Sequence, residues 1–412
     1  MEDTQLYTML FGIKLPWRVS KVQVDMASNR VDVWVVEVEG TKFPCAVCKQ
    51  ESPVNDHTEE QVWRHLDTCQ CRTYLHACLP RTKCPADGVK QILAPWAEPR
   101  AKFSRLFESR LIDTLKECDV TGVKRLWGTS WDETWGVMER AVTRGLSRKV
   151  KRVPTRIGVD EKSVGKGQNY ESIVCDLDRG TVEYVVDNRE QKSLESYYQQ
   201  FTKEELAQIE VVSMDMWDPY IAATKAYVPD ADQKIVFDRY HAMTHVTKAV
   251  EKVRRSEHKM LTAHGDFRLK GTKYLWLWSE ENMPERRRKE FAGVKNAALK
   301  TSRAWAIKEA IRGFWSYTYT KCAEKYFKAW YFWATHSRLM PIIAAAKTLK
   351  GHLVNLLTYI KHRVTNATSE GINSKIQMVK MMACGYRNRE HYKAAIYFHC
   401  GGLDLYPRAE RA

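Results

Sequence analysis

Two short apolar runs, each ending on an aspartate, set the frame of this 412-residue chain. Arg156-Ile157-Gly158-Val159-Asp160 and Val211-Val212-Ser213-Met214-Asp215 have the unbroken apolar character of buried strands. Between them, Tyr170 to Leu177 and Thr181 to Asp187 read as two further strands, joined through tight turns at Gly165-Lys166-Gly167 and Arg179-Gly180. A charged, helix-prone stretch at about 191–207 leads into the second aspartate-ending strand. After it come a helix at about 219–227 and a strand from Lys234 to Phe237. Asp218-Pro219 reads as a helix start with aspartate at the N-cap, which leaves Asp215 at the strand end. Glu161 follows Asp160 directly and, by the alternation of side chains along a strand, is expected on the opposite face.

Three antiparallel strands followed by alternating helix and parallel strand is the order of an RNase H-like sheet. From Arg239 to about residue 350 the pattern turns entirely helical, which predicts an insertion after the last core strand. A final helix at about 367–382 carries Ile372, Ile376, Val379 and Met382 on an apolar side. Glu370, Asn373, Ser374 and Gln377 form a polar stripe on the other.

Upstream, Val22, Val24 and Met26 alternate with polar residues, and Val31, Val33 and Val35 do the same before the phase shifts to Val36 and Val38. This predicts a hairpin turning at Ser28-Asn29-Arg30, with a bulge at Val35-Val36. Cys45-Ala46-Val47-Cys48 follows, then an alternating run from Thr73 to Leu79, then Cys84-Pro85-Ala86-Asp87. Thiolates at i and i+3 of a tight turn can share one tetrahedral ion, so two such knuckles joined by strands read as a zinc ribbon. The ligand set is Cys45, Cys48, Cys84 and Asp87, with Cys69, Cys71, Cys78, His65 and His76 as competitors for the fourth place. Residues 103–147 are helical, with Leu106, Leu111, Leu115 and Cys118 on one face. A short helix from Val120 to Trp127, a break at Gly128 and the capping box Ser130-Trp131-Asp132-Glu133 give the pattern of a helix-turn-helix.

Charge adds the partner. The net charge is +16 and the pI about 9.2, a balance that points to nucleic acid or an anionic membrane. No apolar run approaches the roughly 20 residues needed to span a bilayer. Met1-Glu2-Asp3-Thr4-Gln5 is acidic where a secretion signal is basic. A cytoplasmic, nucleoid-associated bacterial protein acting on DNA is expected. Six of the 11 cysteines fall between Cys45 and Cys84, which in a reducing compartment favours a metal over disulfides. Arg144, Arg148, Lys149, Lys151, Arg152 and Arg156, with no acid among them, form a basic arm suited to phosphate contacts. From Arg239 to Arg303 there are 16 Lys or Arg against 7 Asp or Glu, interleaved with Tyr274, Trp276, Trp278, Trp305, Trp315, Trp330 and Trp333 nearby. Most of these aromatics are expected to fill the core of the insertion, and the remainder to stack bases.

The expected fold is multidomain α+β. It comprises a β-hairpin and zinc-ribbon domain (1–100), a helix-turn-helix (101–150), an RNase H-like catalytic core in two parts (151–238 and 356–412), and an all-helical insertion (239–355). Asp160, Asp215 and Glu370 would converge to hold two Mg²⁺ or Mn²⁺ ions, the chemistry needed to activate a water or 3′-hydroxyl and stabilise the leaving oxygen of a phosphodiester. His241, after the last core strand, is placed to orient a water or meet the scissile phosphate.

The chain resembles the DDE insertion-sequence transposases of the ISL-three family over nearly its whole length. The resemblance rests on the cysteine knuckles with Trp63, His65, Leu66 and Asp67, and on Gly158-Val159-Asp160-Glu161 and Met214-Asp215-Met216-Trp217. It continues through Phe237-Asp238-Arg239-Tyr240-His241, Glu370-Gly371-Ile372-Asn373 and Gly385-Tyr386-Arg387-Asn388. It implies that Asp160, Asp215 and Glu370 are a catalytic triad that cuts and rejoins DNA at terminal inverted repeats and joins it to target DNA. Two departures stand out. Asp87 replaces a Cys or His of the second knuckle. Gln377 replaces the Lys or Arg often found seven residues after the glutamate, so Lys375 or Lys380 would grip the DNA end, with Asn373 and Arg387 beside them. Cutting two ends in concert implies a homodimer or larger assembly on DNA. A DNA-binding regulator and a structure-selective nuclease are the competing readings.

Overall fold

The computed structural model describes residues 2–165, 169–237, 239–297, 299–363 and 367–408, so the expected turn at Lys166-Gly167 and the motif residue Asp238 lie outside it. The chain forms two compact units. One holds residues 1–149 together with 397–399 and 403–412, and the other holds 150–396 with 400–402.

In the first unit, helix α1 (Asp3–Leu10) precedes a six-stranded sheet of β1 (Trp17–Asp25), β2 (Arg30–Glu37), β3 (Lys42–Pro44), β4 (Glu51–Thr68), β5 (Cys71–Cys84) and β6 (Gly88–Gln91). Its order is β1-β2-β5-β4-β3, with β6 paired to β5. The β1–β2 turn closes because the Asp25 carboxylate accepts from the Ala27 and Ser28 amides and the Ser28 hydroxyl. These bonds hold its carboxyl below the usual aspartate range, the Ser28 hydroxyl contributing most. The bulge lies in the partner strand, not at Val35-Val36. Register slips between Val19 and Lys21, and β2 alternates without interruption through Val35. Trp17 and Trp63 both meet Trp96 edge-on, at 5.1 and 5.5 Å between ring centroids, in the core over Val33 and Leu75.

Helices α2 (Arg105–Glu117), α3 (Val120–Trp127) and α4 (Trp131–Arg148) follow. Ser104, Asp119 and Ser130 cap their N-termini, and Gly128, at φ 66° and ψ 28°, takes the left-handed turn that ends α3. The buried face of α2 is Phe107, Leu111, Ile112 and Leu115, whereas Leu106, expected on it, is exposed. The segment after Gly402 groups with this unit. Leu403 packs so closely on Gly145 that a β-carbon there would lie 2.7 Å from it. The Tyr406 hydroxyl donates to Asp113 at 2.6 Å.

The second unit is built on a five-stranded sheet of β7 (Arg156–Ser163), β8 (Tyr170–Asp176), β9 (Thr181–Asp187), β10 (Val211–Met214) and β11 (Ile235–Phe237), in the order β11-β10-β7-β8-β9. β7, β8 and β9 are antiparallel neighbours, while β10 runs parallel to both β7 and β11. The expected helix at 191–207 is two helices, α5 (Gln191–Tyr198) and α6 (Lys203–Ala207). α7 (Asp218–Tyr227) and α8 (Ala231–Lys234) link β10 to β11. Trp217 is the N-cap residue of α7, so Asp218 belongs to its first turn.

The helical stretch comprises α9 (Arg239–Ala263), α10 (Lys273–Leu277), α11 (Glu285–Lys295), α12 (Lys300–Arg312), α13 (Thr320–Thr335), α14 (Met340–Gly351) and α15 (Leu353–His362). Trp276, Trp305, Trp315 and Trp330 are buried in its core, while Tyr274, Trp278 and Trp333 are exposed. α16 (Ala367–Met382) and α17 (Arg389–Cys400) follow. α16 approaches β7 at Gly158, where a β-carbon would stand 2.7 Å from Ser369 Oγ. Among the described residues no helix is long and apolar enough to cross a membrane.

Candidate active site and zinc site

Parallel pairing sets the first site. β10 pairs with β7 as Val211 with Arg156, Val212 with Ile157 and Ser213 with Gly158. Continuing that register by two residues puts Asp215 level with Asp160. One ligand oxygen from each of Asp160, Glu161 and Asp215 lies within 4.8 Å of the others. All three line a cavity of about 340 Å³, together with His241, Glu370 and Asn373.

Each acid is held from a different element. His241, in the first turn of α9, places Nδ1 2.7 Å from Asp215 Oδ1. Asn373, three residues after Glu370 on α16, donates to Asp160 Oδ2. Lys162 Nζ stands 3.5 Å from the same oxygen. Glu161 pairs with Arg189 at 2.9 Å, and that guanidinium lies 3.9 Å from the centre of the Trp217 ring. Burial pushes the Glu161 carboxyl above its ordinary range, the Asp160 and Asp215 charges push the same way, and Arg189 opposes them. Its Oε2 is buried and accepts no hydrogen bond among the described residues.

Glu161, expected on the opposite face from strand alternation, nonetheless brings one oxygen within 4.8 Å of those of Asp160 and Asp215. β10 stops at Met214, so beside residues 160 and 161 β7 is paired only with β8. Glu370 lines the cavity from α16, but its exposed carboxylate is outside the 4.8 Å group. Arg189 and Lys162 carried no sequence signal, since neither belongs to a motif or a periodic face.

Three close carboxylates, one with a buried oxygen lacking a donor, form a repulsive cluster that a divalent, oxygen-preferring cation would neutralise. The residues present therefore fit Mg²⁺ or Mn²⁺.

The second site lies at the knuckles of the ribbon. Cys45 follows β3, Cys84 ends β5 and Asp87 precedes β6, with Gly88 at φ 71° closing the turn. Cys48 Sγ is 3.4 Å from Cys84 Sγ. Asp87 Oδ2 is 3.4 Å from Cys45 Sγ and 3.6 Å from Cys84 Sγ. A tetrahedral zinc with bonds of about 2.0–2.3 Å sets its ligands roughly 3.4–3.8 Å apart, so these three separations match it. The competitors are engaged elsewhere or lie outside the cluster. The His65 ring accepts from the Leu66 amide at 2.7 Å, and His76 sits between Asp32 and Glu60. Cys69, Cys71 and Cys78 are outside the group.

The basic residues expected to meet DNA divide. Arg144 is committed internally, to Glu108 at 3.0 Å and to the Leu405 carbonyl at 2.7 Å. Arg148 donates to the Tyr406 carbonyl, Arg152 to Asp176, and Lys380 to the Ser163 carbonyl. Lys151, Lys375 and Arg387 are exposed, and Lys149 is half-buried.

Residues 157–396 match a family described as transposase, and residues 41–87 match one described as zinc-finger of transposase IS204/IS1001/IS1096/IS1165. These matches place the protein in the class of DNA transposases that carry a zinc ribbon. The chain belongs to the ISL-three family of insertion-sequence transposases. It is 25% identical over 351 residues to the transposase for insertion sequence element IS1557 of Mycobacterium tuberculosis, covering 79% of this chain and 78% of that one. It is 23% identical over 352 residues to the transposase for insertion sequence element IS1001 of Bordetella parapertussis, covering 84% and 85%.

Proposed function

We propose that the transposase cuts and joins DNA at a site made by Asp160, Asp215 and Glu370, on an RNase H-like core interrupted by the helices α9–α15. The observation that carries this reading is the bond from Asn373 to Asp160. It ties the helix bearing Glu370 to the strand end where Asp160 and Asp215 stand level. Asp160, Asp215 and Glu370 would hold two Mg²⁺ or Mn²⁺ ions, which would supply an activated nucleophile and stabilise the leaving oxygen. The chain's own residues do the positioning. Asn373 and His241 fix the orientation of the two aspartates, and the Glu161–Arg189 pair sets the charge behind them. Zinc on Cys45, Cys48, Cys84 and Asp87 ties together the ends of β3, β5 and β6 and has no part in the chemistry. Helices α2–α4 act as a helix-turn-helix that reads the terminal repeats. Lys149, Lys151, Lys375 and Arg387 supply phosphate contacts. The protein works on nucleoid DNA in the cytoplasm as at least a dimer, because two ends must be cut in concert.

The test is cleavage and joining of a labelled duplex carrying the element's own terminal repeat, with Mg²⁺ or Mn²⁺. Wild type is compared with Asp160→Ala, Asp215→Ala, Glu370→Ala and Glu161→Ala. The reading requires that the first three bind but do not cut. If Glu370→Ala cuts normally and Glu161→Ala does not, Glu161 is the third ligand. Binding without cleavage by the wild type would leave a DNA-binding regulator, and cleavage without joining a nuclease.

A further inference from the structure

Among the described residues that line the acidic cavity, four are carboxylates, Asp160, Glu161, Asp215 and Glu370, and one is a lysine, Lys162. No arginine joins them. A DNA phosphate entering this cavity adds a further negative charge, and during cleavage that charge spreads over its non-bridging oxygens. Divalent ions offset the carboxylates. A fixed cation aimed at those oxygens stabilises the charge that develops on them.

Lys162 is placed to be that cation. It follows Asp160 by two residues on β7, so both side chains leave the strand on one face. Its side chain is 23% exposed, within reach of the cavity yet largely covered. The ammonium stands 3.5 Å from Asp160 Oδ2, beyond an ordinary hydrogen bond. That oxygen already accepts from the Asn373 amide, so the aspartate is held without the lysine. The ion pair is therefore loose, and a flexible four-carbon stem lets the ammonium turn to a better acceptor. The lysines of α16 do not duplicate it. Lys380 donates to the Ser163 carbonyl at 2.7 Å, and Lys375 is not among the described lining residues.

We propose that Lys162 is a catalytic residue, whose ammonium leaves Asp160 and bonds a non-bridging oxygen of the scissile phosphate as the bond to the leaving oxygen breaks. The proposal rests on the acidic cavity being the cleavage site. The lysine donates a hydrogen bond and transfers no proton.

The test compares wild type, Lys162→Met and Lys162→Arg on the element's own terminal-repeat duplex. Cleavage rates are measured with Mn²⁺. Binding is measured in Ca²⁺ with the same duplex carrying either a phosphodiester or an uncharged methylphosphonate at the cut position. Lys162→Met should slow cleavage by about 100-fold, the loss typical of one donor to a developing oxyanion, and Lys162→Arg should lose less than about tenfold. Lys162→Met should bind the phosphodiester duplex at least about fivefold more weakly than wild type, and the methylphosphonate duplex equally well, because the charge the lysine meets is then gone. Cleavage by Lys162→Met at the wild-type rate overturns the proposal. So do equal losses in Lys162→Met and Lys162→Arg, or a change in binding that is the same on both duplexes, since the lysine would then act through Asp160 alone. If the wild type binds the phosphodiester duplex but never cuts it, the cleavage-site reading itself falls and takes this proposal with it.

Discussion

Arg144→Ala removes the cation that holds Glu108 inside the first unit. The Glu108 side chain is 1% exposed and that of Arg144 10%. Arg140, at 2.9 Å and 38% exposed, is the second partner of the carboxylate. Removing one member of a buried pair costs about 3–5 kcal/mol, because the other is left charged and unsolvated. Arg140 still compensates half of Glu108, which favours the lower end. The two bonds from Arg144 to the Leu405 carbonyl are lost as well, so roughly 3 kcal/mol is expected. At about 2–4 °C per kcal/mol for a unit of this size, melting should fall by about 6–12 °C. Binding to repeat DNA is the contrasting assay, with the affinity followed against salt. Each phosphate contact contributes about 0.9 to the slope of log K on log salt. Lys151→Ala should lower that slope by about one contact and leave melting unchanged. Folded Arg144→Ala should keep the full slope. If Arg144→Ala melts like wild type and loses one contact from the slope, the arginine belongs to the DNA interface and the reasoning from burial is wrong.

Three further outcomes are expected. Burial pushes His65 down to about 4 from its ordinary 6.5, so the folded ring stays neutral while the unfolded ring takes up a proton. Its contribution is intact above about pH 6.5 and is lost as pH falls through about 4. That loss amounts to roughly 3 kcal/mol, and urea midpoints at pH 7, 5 and 4 should show it flattened in His65→Gln. Asp87→Ala should weaken zinc retention against a chromogenic chelator by more than about tenfold, and unchanged retention would move the fourth ligand elsewhere. Gly158→Val must displace Ser369 at the start of α16, so cleavage should fall by at least about tenfold while the fold persists with a loss of about 1–3 kcal/mol. Cleavage at the wild-type rate would mean that α16 does not set the site.

The order of elements in the second unit was legible because its strands are short apolar runs bounded by turn residues. The runs 156–162, 170–177, 181–187 and 210–215 coincide with β7 to β10 within a residue or two. The N-terminal sheet was less legible. The first part of β4, Glu51 to Gln61, is two-sided and polar, so neither periodicity nor an apolar run marks a strand of 18 residues. At the candidate site, alternation pointed Glu161 away, yet its carboxylate pairs with Arg189, 28 positions later, and comes within 4.8 Å of both aspartates, tertiary neighbours that no local pattern encodes. Arg144 was legible only as a charge. Its acidic partner is 36 positions earlier on another helix and its carbonyl partner 261 positions later, and composition cannot tell such a cation from one awaiting phosphate.

The return of residues 403–406 to the first unit has a consequence for how the protein is made. Asp113 waits for Tyr406 across 293 positions, and Arg144 for Leu405 across 261. At synthesis rates of about 5–20 residues per second, the ribosome needs on the order of 15–60 s to bridge the longer gap. The unit that leaves the ribosome first is therefore the last to be finished. A chain released before residue 403 lacks the partner carbonyl of Arg144 and the packing on Gly145, so its N-terminal unit should be less stable and be cut faster in limited proteolysis than that of the full chain.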